Sequence, residues 1–307
     1  MPSSPLAKTA AAVLAALSLG ALTSCADQGT PRPAAPSASV TVPRATGVHL
    51  PEVKLPLDSY QVSASDFGTI SSALISLTRT CMKGAGYDYA AGHSPAPGSV
   101  QTGNSRRYGL LDPRDARTHG YHPPFVPDAA ALSGRGESHA YRIALTGTGK
   151  PTGKKGQFDD GCAGKANALL DQGIDTDAVN LPQWLKRDTF QRSMSRPAVR
   201  AVFADWSACM RAKGYSYASP LAPFDDRRLV GAQVTDAERA VAVTDIQCKD
   251  STHLVQKWTA AEAALQDAAI HAHRADLAEA RAETAKTVAR AKDVLAGHGT
   301  PADPAAR

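Results

Sequence analysis

Four histidines, His93, His119, His122 and His139, fall in one long stretch of the chain, and His119 and His122 stand close together in "THGYHPP". Imidazoles that near one another could hold a metal ion or act as an acid–base pair. Gly120, Pro123 and Pro124 interrupt the segment, however, so the i, i+3 geometry of a helix is not assured there, and these histidines read as surface residues. Asp159 and Asp160 are adjacent and point apart in most conformations, a poor arrangement for paired carboxylates. Arg106 and Arg107 read as solvated or salt-bridged. No G-x-S-x-G, H-E-x-x-H or G-x-G-x-x-G is present, and "GTGKPTGKKG" lacks the register of a phosphate-binding loop. No catalytic residue, metal site or cofactor is therefore expected. The only candidate binding surface is the cluster Arg106, Arg107, Tyr108, His119, Tyr121 and His122 in an unrepeated insertion at 91–157.

Cysteine is the second reactive residue type. The chain has five, and C-x-x-C pairs of the kind that bind zinc are absent. A decapeptide containing cysteine occurs twice, "CMKGAGYDYA" at 81–90 and "CMRAKGYSYA" at 209–218. Each copy has a cysteine downstream, in "FDDGCAGKANALL" and "VTDIQCKDSTHLV". The repeat thus selects one of the three pairings of four cysteines: Cys81 with Cys162 and Cys209 with Cys248. The paired tyrosines, Tyr87/Tyr89 and Tyr215/Tyr217, share a face if extended and are read as packing back over the joint.

Helices must position these groups. Ile70, Leu74, Leu77 and Cys81 recur at helical spacing, with Gly84 and Gly86 as the stop, and the element is expected to begin near Asp66. Val199, Val202, Phe203, Trp206, Cys209 and Met210 make the matching face of a helix opened by Ser195 and Pro197 and closed by Gly214. "LDPRDARTHG" carries Asp112 as N-cap, Pro113 in the first turn and Gly120 as terminator. "SHAYRIAL" also reads as helix. "TDAE" at 235–238 opens another with a capping box, in which Glu238 reaches back to the Thr235 backbone. From Thr235 to Leu295 the pattern gives one or two long helices. Their alanine-rich end is either a terminal bundle helix or a projecting arm. The fold class is mainly α, a two-disulfide domain with an internal pseudo-repeat.

At the N-terminus, Lys8 and the apolar run 9–22 read as an export signal of residues 1–24, too short for a permanent span. "LTSC" then reads as a lipobox in which Cys25 carries lipid, a palmitate-type anchor in the membrane. That assignment also explains the odd cysteine count. Residues 25–60 are expected to be a Pro/Ala/Ser-rich tether, followed by the domain at 61–298 (halves 61–175 and 176–298) and a tail at 299–307. A net charge of +5 is mild and carries no nucleic-acid signature.

"RRYGLLDPRDARTHGYHPP", "ALTGTG", "WSACMRAKGYSYASP" and "ERAVAVTDIQCKDSTHLVQKW" resemble a family of uncharacterised exported proteins of high-GC actinomycetes such as streptomycetes, over about residues 66–296. The resemblance implies an extracytoplasmic protein, often a lipoprotein. It also implies proximity to peptidoglycan-binding or transporter components, and it supplies no catalytic residues. The expected protein is a non-enzymatic binding or scaffolding component on the outer face of the cytoplasmic membrane, or a secreted form of it. Its partner is an envelope protein, such as a transporter or a peptidoglycan-associated component. A solute-binding lipoprotein and a hydrolase using the insertion are the alternatives.

Overall fold

Short polar side chains start the helices. Ser63, Asp112, Ser138, Asp175 and Thr235 each accept a backbone N–H two or three residues on, filling hydrogen bonds that a helix start leaves open. A computed structural model describes residues 41, 50, 52–89, 104–123, 138–152, 158–229 and 231–298. The leader, Cys25, nearly all of 26–49, His93 and the tail lie outside these residues.

Among the described residues there are nine α-helices and no strand. They are α1 (Ala64–Gly84), α2 (Pro113–His119), α3 (His139–Thr146), α4 (Cys162–Asp171), α5 (Thr176–Met194), α6 (Pro197–Ala212), α7 (Asp236–Ser251), α8 (Leu254–Ala272) and α9 (Arg274–Leu295). Two 3-10 turns, Pro56–Tyr60 and Ala222–Asp225, complete the set. The fold is mainly α, as expected. The 235–295 stretch is three helices rather than one or two. His253, with φ +54°, breaks α7 from α8, and His273 separates α8 from α9. α5 is an addition to the sequence expectation.

The repeated decapeptide forms the same joint twice. Gly86 (φ +83°) and Gly214 (φ +89°) adopt the left-handed backbone that ends α1 and α6. Tyr87 N–H then donates to Met82 O at 2.9 Å, and Tyr215 N–H to Met210 O at 3.0 Å. Gly86 and Gly214 donate to Lys83 O and Arg211 O, completing two Schellman motifs. Met82 and Met210 are buried beneath them. The disulfides are Cys81–Cys162 and Cys209–Cys248, with Cα separations of 5.5 and 5.7 Å. Tyr87 packs edge-on against Tyr141, and Tyr215 and Tyr217 lie against the main core.

The two halves do not pack as separate lobes. Successive neighbours run α4, α1, α9, α5, α8, α6, α7, α2, so the first-half helix α1 rests on the last helix, α9. The C-terminal helix is therefore packed, not an arm, and buries Leu277, Ala280, Val288, Ala291 and Val294. Tyr108, Leu110, Ala116 and Tyr121 from the insertion enter the core built by α6, α7 and α8. The start of the fold also differs from expectation. Residues 52–60 belong to the domain, because Val53, Leu55 and Leu57 are buried. No helix among the described residues is long and apolar enough to cross a membrane.

Candidate functional site

The segment 52–62 is a strap laid across α5, α8 and α9. Proline at the start of its 3-10 turn and an aspartate that caps the turn explain its shape: the Asp58 carboxylate accepts the Leu55 N–H at 2.8 Å. Leu57 fills a small core with Leu185 and Leu277, and its N–H donates to Gln266 Oε1 at 2.9 Å. Asp58 also accepts from Lys186 Nζ at 2.6 Å and from Asn104 Nδ2 at 2.7 Å. Strap, α5 and the 104–107 turn thereby enclose a cleft of about 410 Å³, walled by Asp58, Gln61, Asn104, Arg107 and Lys186 among others.

Two polar atoms in this wall have no hydrogen-bond partner among the described residues, Asn104 Oδ1 and Gln61 Nε2. Asn104 is 5% exposed. A buried donor or acceptor left unpaired costs about 1–3 kcal/mol. Unmet groups in a folded interior call for an explanation, and further ones, Arg106 Nε, His119 Nδ1 and Glu238 Oε2, lie around the second network described below; the cleft is the candidate binding site by its concavity and its polar wall.

Behind the cleft lies a buried network. Arg107 pairs with the fully buried Glu262, donates to Lys186 O, and lies 4.7 Å over the Phe190 ring. Glu262 also accepts from Tyr108 Oη at 2.8 Å and Gln266 Nε2 at 2.7 Å. Burial, with the adjacent Glu262 charge, pushes the Tyr108 hydroxyl far above the usual tyrosine range. Tyr108 stacks among Phe190 and Trp258, so it is a core residue.

The rest of the sequence-named cluster forms a second network. Arg106 donates to Tyr121 O and His122 O, at 2.8 and 2.6 Å. His122 Nδ1 meets Glu238 Oε1 at 2.8 Å, and Nε2 meets Gly231 O at 2.9 Å. Both partners are acceptors, which suits an imidazolium. His119 lies 3.7 Å from Asp115, one helical turn away. Tyr121 is buried near Asp245, and burial with that charge raises its pKa well above the ordinary value. Glu238 does not close the expected capping box. Thr235 Oγ1 does accept the Glu238 N–H, but the Glu238 carboxylate turns to Tyr121 N and His122.

Five of the six residues named from sequence thus divide between two internal networks, and the sixth, His119, lies beside Asp115 on α2 with its side chain 35% exposed, so the six do not present one surface. Tyr108 and Tyr121 are inside the core, and the two arginines and His122 hold protein partners. Sequence reasoning missed Asp58, Gln61, Asn104 and Lys186. The alternating Val53, Leu55, Leu57 was the available signal for the strap. Among the described residues no group of three His, Cys, Asp or Glu side chains is arranged to hold a metal ion. Asp159 and Asp160 are occupied in shaping a loop, accepting N–H groups of Lys150, Thr148 and Gly149. Compared with protein-family models, curated proteins and solved structures, the chain matches none of them.

Proposed function

We propose that this is an exported cell-envelope protein, lipid-anchored through Cys25, that binds or scaffolds another envelope component without catalysis. Two disulfides in one domain fit maturation in an oxidising, extracytoplasmic compartment. "LTSC" directly after an apolar run supports processing and acylation at Cys25. The resemblance to exported actinomycete proteins supports the same placement and favours a transporter or peptidoglycan-associated component as partner.

One observation carries the binding role: the chain leaving the tether becomes the wall of a polar cleft that holds two unpaired buried groups. Two of the insertion's titratable side chains are taken up by protein partners, His122 by Glu238 and Tyr108 by Glu262, which favours binding over hydrolysis. The cleft also gives the solute-binding reading a specific support, although that class is usually built from two α/β lobes and the described residues are helical. Crosslinking in intact cells followed by capture of the full chain from membranes tests the proposal. It expects a reproducible envelope partner lost when the cleft is altered; repeated capture with no partner argues against it.

A further inference from the structure

We propose that a second groove, between the end of the strap and α9, receives an extended acidic peptide, with acidic residues at i and i+4 and an apolar one at i+2. The inference rests on reading the protein as one that binds an envelope component, and it gives the chemistry of the segment bound.

The groove is open and has a shallow-sided floor of small residues. Residues 59–63, Asp66 and one stripe of α9 enclose about 500 Å³; the stripe is Arg281, Thr284, Ala285, Val288, Ala289 and Lys292. Arg281, Ala285, Ala289 and Lys292 are all exposed, so a ligand can reach the floor and both ends. Ala285 and Ala289 stand one helical turn apart, and their short side chains leave room for a main chain.

Both ends carry an unmatched cation. Arg281 is held in place: Nη2 donates to Ser59 O at 2.9 Å, and the guanidinium lies 4.0 Å over the Tyr60 ring. Neither contact is with a carboxylate. Lys292 makes no ion pair or side-chain hydrogen bond among the described residues. On α9, Asp276 is turned to His273 and Glu283 to Lys286. The carboxylate in the groove wall, Asp66, accepts from Ser63 Oγ at 2.7 Å.

Spacing and wall chemistry select the ligand. Arg281 and Lys292 are eleven residues apart on α9, about 16 Å of helix rise. An extended chain sets residues i, i+2 and i+4 on one face and covers about 13 Å from first to last. Two acidic side chains reach the few ångströms left. The middle side chain then lies over Ala285, Ala289 and the exposed Val62. Asp66 remains as an acceptor for a main-chain N–H. A phosphate polymer has no such N–H, and its charge at every repeat would set one phosphate against the apolar middle and Asp66.

Fluorescence anisotropy of dye-labelled peptides with the full chain in detergent tests this. The probe is Glu-Ser-Leu-Ser-Glu, blocked at both ends. Its controls are Gln-Ser-Leu-Ser-Gln, the reordered Glu-Leu-Glu-Ser-Ser and a glycerol phosphate oligomer. The probe should bind about five- to tenfold more tightly than the neutral peptide, as two exposed ion pairs allow, and more tightly than the other two controls. Added salt should weaken it. Lys292→Glu should lower the affinity by about the same factor, and Ala289→Leu should fill the floor and reduce it too. Both positions are exposed on α9, so unfolding curves should match the parent. No binding by the probe, equal binding by any control, or unchanged affinity in both variants overturns the proposal. If the probe fails while crosslinked capture still returns a partner, the ligand class falls and the binding role stands. If the probe binds and no partner is captured, the scaffolding role falls instead.

Discussion

One oxygen of Glu238 serves two residues of the insertion: Oε1 lies 2.8 Å from His122 Nδ1 and accepts the Tyr121 N–H at 2.7 Å. Through it the exit of α2 is fastened to the start of α7. Gly120 permits the approach, since a Cβ there would lie 2.5 Å from the same carboxylate oxygen. Replacing Gly120 with alanine should therefore loosen this junction as well as strain a backbone at φ +57°.

The junction has a pH signature. Partial burial works against a charged His122, but its bonds to Glu238 and to Gly231 O outweigh this, so the folded pKa lies above the ordinary value. A raised folded pKa stabilises fully below the unfolded value of about 6.5 and loses that contribution as pH rises through the folded pKa. Urea unfolding of the parent chain and His122→Gln should differ by about 1.5–3 kcal/mol at pH 5.5, the value of a charge-assisted bond, and converge at alkaline pH. A gap that widens with pH is the contrary result.

The buried pair Asp245–Lys249 should show strong coupling. Nζ lies 2.9 Å from the carboxylate and donates to Leu110 O, while Trp206 Nε1 donates to the other oxygen. Burial raises the aspartate pKa and lowers that of the lysine. Lys249→Met alone should cost about 3–5 kcal/mol, because it leaves the aspartate uncompensated. The double variant with Asp245→Asn should recover part of that loss in a double-mutant cycle; simple additivity would argue against coupling.

The duplicated joint predicts a matched pair of effects. No atom lies within 4 Å of where a Cβ would stand at Gly86 or Gly214, so only backbone strain opposes alanine. Each Gly→Ala change should lower stability by about 1–2 kcal/mol, with similar size in the two copies. Removing each disulfide should cost about 4 kcal/mol in chain entropy, slightly more for the bridge spanning 81 residues than for that spanning 39. Chemical denaturation of the paired Cys→Ala variants measures both.

The joints were legible because their signals are local. Cysteine, methionine, glycine and tyrosine recur at fixed offsets, and Asp112 with Pro113 marks α2. α5 was hidden by Pro182 inside the helix and by Lys186, Thr189 and Ser193, buried where the pattern calls for apolar residues. The strap read as tether because its short apolar alternation has meaning only against α5, α8 and α9. Glu262 and Gln266 interrupt the apolar stripe of α8, yet both are buried. Their partners Arg107 and Leu57 lie 155 and 209 residues away, and no local pattern connects them.

Anchoring at Cys25 is the claim on which location and partner both depend. Metabolic labelling with an alkyne-tagged palmitate, followed by membrane fractionation, tests it most directly. The full chain should take up label and sediment with membranes, and Cys25→Ala should lose both properties while its two disulfides remain. Label retained by Cys25→Ala, or a parent chain that is unlabelled and free of membranes, would contradict the account.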